Sequence, residues 1–126
     1  MAVRKAARRL APLLAGGVVL VGACAQAPAP DAGDPAYQAL APRAEVLARN
    51  TVQEALETAP SKTSLSWTYV EDGSRGLITP LRTYRSSTGF YCREYREVVM
   101  ASAAQETSRQ RTACRDADGL WKPIRS

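Results

Sequence analysis

The sequence predicts an α+β domain in which one amphipathic helix packs on a small antiparallel β-meander of four to five strands. Apolar residues first recur at three- and four-residue steps, the period of a helix that buries one face. After Lys62 the period changes to two, and strand-forming residues alternate with turn residues. With 126 residues, 45% of them hydrophobic, the chain is expected to form one small folded domain.

The helix is predicted over residues 42–58 and ends where Ala59 precedes Pro60, a position that disfavours helical geometry. We interpret its apolar stripe as core packing in preference to a partner site. The stripe consists of Ala44, Leu47, Ala48, Val52, Ala55 and Leu56.

Five strands are predicted after the helix. They span residues 65–69, 76–84, 90–100, 105–115 and 120–124. Pro80 cannot donate a ladder hydrogen bond, so the second strand is expected either at an edge of the sheet or with a bulge at that residue.

The N-terminus has the pattern of a secretory signal peptide, because four basic residues precede an uncharged run from Leu10 to Ala23. A membrane-spanning helix needs about 20 apolar residues, so the run is too short to span a bilayer. Residues 1–23 are therefore predicted to be a leader that is removed. A buried helix is the less favoured alternative, since Pro12 and Gly22 suit a helix interior poorly.

Residues 20–24, LVGAC, resemble a bacterial lipobox, in which an aliphatic residue and two small residues precede a cysteine. Cys24 is then the lipidation site, and fatty acids such as palmitate on this residue would make membrane lipid a partner. An ordinary signal peptide followed by a chance cysteine is the alternative. Ala25, where Asp would favour the inner membrane, indicates the outer membrane, with the periplasmic or surface face left open.

Charge and composition exclude several classes of function. Removal of residues 1–23 leaves 13 basic and 12 acidic side chains, so the mature chain lacks the strong positive charge of a nucleic-acid-binding protein. The absence of histidine excludes His-based catalysis and His-containing zinc sites. No cofactor and no metal are expected.

Cys92 and Cys114 are an even pair once Cys24 carries lipid, and an oxidising compartment favours a structural disulfide between them. A redox or metal pair is the alternative, but further metal ligands and a C-x-x-C spacing are both missing from the sequence. A turn around residues 102–104 supports the disulfide, because it places Cys92 directly opposite Cys114.

The same register predicts a face on which aromatic rings alternate with guanidinium groups. It opposes Glu97 to Arg109, Tyr95 to Arg111 and Tyr91 to Arg115. Tyr91, Tyr95, Arg109, Arg111 and Arg115 are therefore a candidate binding face for an anionic partner, such as lipid headgroups or cell-wall polymer. The preferred interpretation is ordinary cross-strand pairing on a solvated sheet.

Residues 24–39 are rich in Ala and Pro and are predicted to be a tether, with the folded domain at 40–126. Within the tether, Asp34 followed by Pro35 can open a short helical turn. The paired carboxylates of a glycosidase are not expected, because Glu94 and Glu97 would lie on opposite faces of one strand.

Residues 55–124 resemble the C-terminal domain of the rickettsial-type seventeen-kilodalton surface antigen family of outer-membrane lipoproteins. The residues that carry the resemblance are Ala55-Leu56-Glu57, Ser66-Trp67, Gly76, Thr79-Pro80, Arg82-Thr83-Tyr84, Tyr91-Cys92-Arg93-Glu94, Thr112-Ala113-Cys114-Arg115 and Asp118-Gly119-Leu120-Trp121. The chain departs from the family in its tether, which lacks a glycine-zipper segment, and at residues 101–104 and 110–111.

The resemblance implies a non-enzymatic outer-membrane lipoprotein of the surface antigen type, with its two cysteines bonded and a structural or interaction role in the envelope. An envelope protein or cell-wall polymer is then the expected partner besides lipid. The alternative is a membrane-tethered periplasmic inhibitor or ligand-binding module, for which the acidic loop at residues 71–75 is the candidate contact.

Overall fold

The computed structural model describes residues 16–17, 33–102 and 105–124. Cys24, nearly all of the predicted leader and the first part of the predicted tether lie outside the described residues. Within the described ranges, no helix is both long enough and apolar enough to cross a membrane.

One helix and a five-stranded antiparallel sheet make up the fold, which confirms the predicted α+β meander. The elements are α1 Pro42–Thr58, β1 Leu65–Tyr69, β2 Ser74–Arg85, β3 Tyr91–Met100, β4 Glu106–Arg115 and β5 Trp121–Ile124. The strands lie in the sheet in chain order. The bounds of α1 and β1 are as predicted, and those of the other strands differ by one or two residues.

The helix begins at Pro42, where a missing N–H removes no intrahelical bond, and Ala59 closes it by donating its N–H to the Ala55 carbonyl at 2.9 Å. Its buried face confirms that the stripe packs into the core, on side chains contributed by all five strands. The buried helix residues are Ala44, Ala48, Thr51, Val52, Ala55 and Leu56, and the buried hydrophobic residues of the strands include Trp67, Ile78, Tyr95, Val99, Ala113 and Trp121.

Gly76 of β2 lies directly beneath the indole ring of Trp67 on β1. A Cβ at this position would be 2.4 Å from Trp67 Nε1 and 2.6 Å from the Val98 carbonyl oxygen. A glycine is therefore required where the largest side chain of β1 packs on the neighbouring strand.

The start of β2 is earlier than predicted because the preceding turn is shorter. The Asp72 carboxylate accepts hydrogen bonds from the backbone N–H and the hydroxyl of Ser74, at 2.9 and 2.6 Å. Gly73 has a φ of +74°, which completes the turn, so Ser74 already pairs with Tyr69.

The register of β2 on β3 shifts between Pro80 and Arg82, so the predicted irregularity is a bulge within an interior strand and not an edge position. On the other side of β3, Cys92 pairs with Cys114, Tyr95 with Arg111 and Glu97 with Arg109, as the sequence predicts. The ladder starts at Cys92, so the predicted pair of Tyr91 with Arg115 is not part of it.

Residues just before the predicted start of the domain at residue 40 pack against its core. Ala36, Tyr37 and Leu40 are buried, although the sequence places the first two in the tether. Asp34 caps a turn, as predicted, by accepting the Ala36 N–H at 3.1 Å. We call residues 33–40 the latch segment.

Cys92 and Cys114 form a disulfide and are 22 residues apart in the chain. Replacing both by Ala is expected to lower the free energy of unfolding by about 3 kcal/mol, because the unfolded chain regains the entropy of an open loop. Urea unfolding of the chain measures this loss. Reduction of the unsubstituted protein is the control and should give the same loss, and equal stability with and without the bond would contradict the prediction.

Candidate interaction surface and the buried charge network

The five residues of the predicted binding face do not form one open surface. Tyr95 is 1% exposed in the core, beneath α1 and the latch segment. Arg109 and Arg111 are only partly exposed and bind Asp34. These side chains lie on the face of the sheet that the helix covers.

A buried charge network joins the latch segment to β3 and β4. Glu97 has 0% exposure and accepts the Tyr37 hydroxyl at 2.5 Å and Arg109 Nη2 at 3.2 Å. Arg109 donates through both Nη atoms to Asp34, and Arg111 Nη1 lies 3.0 Å from Asp34 Oδ2. Two carboxylates and two guanidinium groups therefore balance in charge at the point where the latch segment meets the sheet.

Burial and the charges of the network shift the pKa values of Asp34, Tyr37 and the neighbouring Tyr95. Burial alone would raise the pKa of Asp34, but the hydrogen bonds and charge of Arg109 outweigh it, so the net pKa lies below its ordinary value. Burial and the nearby Glu97 raise the pKa of Tyr37, and burial raises that of Tyr95 to about 12. The carboxylate of Asp34 is therefore ionised, and both phenols are neutral, at physiological pH.

Arg93 is a buried cation that sequence reasoning did not single out. It projects from β3 toward the C-terminus of α1, where Nη1 donates to the Leu56 carbonyl at 2.6 Å and Nη2 to the Ala59 carbonyl at 2.9 Å. These carbonyls lack partners within the helix, so the guanidinium satisfies the helix end and fixes it on the sheet. The signal in the sequence is a charged residue at a position whose alternation places it in the core.

The remaining residues of the predicted face lie where β4 and β5 meet the end of α1. Arg115 makes two hydrogen bonds of 3.1 Å to Glu57, which also accepts the indole N–H of Trp121 at 2.8 Å. Tyr91 is exposed, and Arg85 stacks on its ring at 5.2 Å from the centroid. Tyr91 and Arg115 line one depression of about 250 Å³ together with Arg93 and Trp121, and Tyr95, Arg109 and Arg111 are not part of its lining.

The opposite face of the sheet is not covered by any described helix or strand, and we call it the open face. Its exposed members include Arg75 and Arg96, neither of which forms an ion pair with a described residue, and Leu77, which is 44% exposed. A shallow depression of about 220 Å³ lies on it beside β1. The depression is lined mainly by Ser66, Thr68, Arg75, Leu77, Val98 and Met100.

The open face carries cations and apolar groups but no cluster suited to catalysis by paired carboxylates. Glu94 lies on this face and binds Arg82 at 2.7 Å, whereas Glu97 lies on the covered face. The prediction that the two glutamates point to opposite sides of β3 is confirmed. No group of three or more potential metal ligands occurs among the residues that the structure describes.

Comparison with known proteins places this sheet in a family. Residues 54–122 match the model of the family described as 17 kDa outer membrane surface antigen, a range that begins within α1 and ends within β5. The chain belongs to this surface antigen family.

Individual relatives carry the same name. The 17 kDa surface antigen of Rickettsia felis is 46% identical over 78 residues, which cover 62% of this chain and 48% of the relative. That of Rickettsia prowazekii is 42% identical over 74 residues, which cover 59% of this chain and 46% of the relative. The chain spans about half the length of the curated relatives it matches, and no solved structure matches it.

The range that matches the surface antigen family contains three of the five members of the charge network, because Arg111 also lies within it. Glu97 and Arg109 lie within residues 54–122, whereas Asp34 and Tyr37 precede them. The buried groups on the sheet of this family member are therefore completed by residues outside the matched range.

Asp34→Asn tests the network, because Asn retains the ability to cap the turn but removes the charge. The substitution is expected to lower the free energy of unfolding by about 2 kcal/mol at neutral pH, as a partly buried charge-assisted bond is lost. Since folding lowers the Asp34 pKa, the carboxylate stabilises the fold fully above the ordinary value of 3.8 and loses this effect as the pH falls through the folded pKa.

The difference in stability between the two proteins should therefore shrink in acid, and urea unfolding across a pH series measures it. Glu94→Gln, which breaks the exposed ion pair with Arg82, is the control and should cost less than about 0.5 kcal/mol. A constant difference between Asp34→Asn and the unsubstituted protein from neutral pH into acid would contradict this role of the charge.

Proposed function

We propose that the chain is a non-enzymatic outer-membrane lipoprotein, anchored through Cys24, whose domain serves as an interaction module in the cell envelope. The lipobox at residues 20–24 and membership of the surface antigen family support the anchor and the location. Cys92 and Cys114 bind each other, which leaves Cys24 as the remaining cysteine for lipid attachment.

The observation that carries the proposal is the attachment of Asp34 to β4. Because Arg109 and Arg111 bind Asp34, a lipid on Cys24 would be only ten residues away from a position that is fixed to the sheet. Ten residues span at most about 35 Å when fully extended, so the domain would be held close to the bilayer surface. A tether of this length suits a module that acts at the membrane.

Asp34 lies on the covered face, which supports an orientation with the helix side toward the membrane and the open face away from it. Arg75 and Arg96 would then face the envelope, and no carboxylate among the described residues forms an ion pair with either of them. Because Leu77, Val98 and Met100 also line the depression, this surface suits an acidic polymer that also offers apolar contact. We therefore propose an acidic envelope polymer as the partner of the open face.

A tethered inhibitor or ligand-binding module is the second candidate. The turn after β1 favours it, because Val70 is 87% exposed while Asp72 holds Ser74 and Glu71 accepts the Tyr69 hydroxyl. Such a rigid, protruding apolar residue can enter a pocket at little entropic cost. An inhibitor acting through this turn does not need Arg75 and Arg96, so charge reversal on the open face separates the two candidates.

Cys24→Ala is expected to abolish incorporation of labelled palmitate and to release the protein from the membrane fraction, because a single residue carries the whole lipid anchor. Metabolic labelling and membrane fractionation of cells measure both effects. Cys114→Ala is the matched control and should retain the label. Palmitate on the Cys24→Ala variant, or its persistence in the membrane fraction, would overturn the anchoring proposal.

Reversing both charges in Arg75→Glu/Arg96→Glu is expected to weaken binding to purified cell-wall sacculi by tenfold or more, since each cation near an anionic surface contributes about 1 kcal/mol. Sedimentation of the protein with sacculi at low ionic strength measures the binding. Arg43→Glu/Arg85→Glu changes the net charge equally, away from the open face, and should weaken binding less.

Anionic lipid vesicles form a second arm of the same measurement. Loss of vesicle binding alone would assign the open face to lipid headgroups instead of a polymer. Equal binding of sacculi by the two double variants would contradict a role for Arg75 and Arg96.

A further inference from the structure

The two edges of the sheet differ in their protection against pairing with another strand. β5 is four residues long and carries Lys122 and Pro123, and both a charge and a proline hinder the addition of a strand. β1 has five residues, LSWTY, without a proline, a charge or a bulge in its register with β2. Natural monomers rarely leave such an edge unprotected.

The outer side of β1 offers free backbone groups. In the described part of the chain, β1 pairs with β2 alone and is the first strand of the sheet. Alternate residues of an edge strand direct their N–H and C=O groups away from the sheet, so β1 presents a ready template for a further strand. Its sequence of β-branched, aromatic and hydroxyl side chains favours that pairing.

We propose that β1 pairs with β1 of a second copy of this chain, in antiparallel orientation about Trp67. This register pairs all five residues and opposes Ser66 to Thr68 and Leu65 to Tyr69 of the respective copies. Hydroxyl side chains then meet on the open face, and apolar side chains meet on the covered face, continuing the core of each copy. A shift of this register by one residue would mix hydroxyl and apolar side chains on each face of the combined sheet.

The pairing is self-complementary, which supports a second copy over an unrelated strand. β1 contains no charge, so no like charges oppose each other within the strand pair. The axis of an antiparallel strand pair is perpendicular to the sheet, and both covered faces therefore lie on the same side of the ten-stranded sheet that results.

The position of the latch segment agrees with this symmetry. Asp34 lies on the covered face of each copy, so both tethers leave the dimer on the same side. Two copies anchored in one bilayer would need this arrangement, and confinement to one membrane would raise their effective concentration. The inference goes beyond the proposed function, because the pairing of β1 requires no lipid.

The test compares two charge patterns at the edge by analytical ultracentrifugation of the full chain with Cys24→Ala, from micromolar to millimolar concentration. The Cys24→Ala chain without further substitutions should form dimers of twice 13.6 kDa at high concentration. Ser66→Lys/Thr68→Lys places like charges opposite each other across the axis and should weaken the dimer about tenfold. Ser66→Glu/Thr68→Lys opposes unlike charges and should restore it.

Ser108→Lys/Gln110→Lys adds two charges to exposed positions of β4 on the open face and is the matched control, which should dimerise like the starting chain. Circular dichroism melting verifies that each variant is folded. A chain that stays monomeric at every concentration overturns the proposal. So does failure of the Glu/Lys pattern to restore the dimer, or equal weakening by the control. Because no acyl group is present, these results are independent of the outcome for the anchor.

Discussion

Glu97 is the constraint on which the packing of this domain depends. A carboxylate with no exposure is strongly destabilising unless its charge is balanced and its oxygens accept hydrogen bonds. Arg109 supplies the charge from the neighbouring strand, and Tyr37 supplies a hydroxyl from a segment 60 residues away in the chain. The pairing of β3 with β4 and the docking of the latch segment are therefore coupled, because either one without the other leaves a buried charge incompletely satisfied.

This coupling explains why the two faces of the sheet differ. The buried charged and phenolic groups of β3 point toward α1 and the latch segment: Glu97 and Tyr95 directly, and Arg93 through the carbonyls at the helix end. The charged groups of the open face do not need to be covered, because Arg75 and Arg96 remain hydrated and Arg82 forms an exposed pair with Glu94. A single helix is enough to complete the fold, and a surface of moderate size is left for contacts with other molecules.

Local periodicity was sufficient to predict the helix, the order of the strands and the register that joins Cys92 to Cys114, because each follows from alternation and turn residues over short distances. The same alternation placed Tyr95, Arg109 and Arg111 on one face. Alternation alone could not show which face of the sheet the helix covers. The two arginines resemble solvent-exposed residues in the sequence, and their burial follows from contacts with Asp34 and Glu97 that only the structure shows. The Ala- and Pro-rich composition likewise led to the prediction that residues 33–39 belong to the tether. Composition cannot reveal that Asp34 is bound by arginines 75 and 77 positions further along the chain.

If Cys24 carries the proposed lipid anchor, the latch segment also limits how the domain can act at a membrane. A domain beginning at residue 40 would have a tether of sixteen residues, with a reach of about 55 Å, and could turn freely relative to its anchor. With Asp34 bound to β4, that reach would be about 35 Å, measured from a position on the covered face. The electrostatic pairs that complete the core would thus also limit the orientation of the open face, so stability and presentation to a partner would depend on the same two arginines.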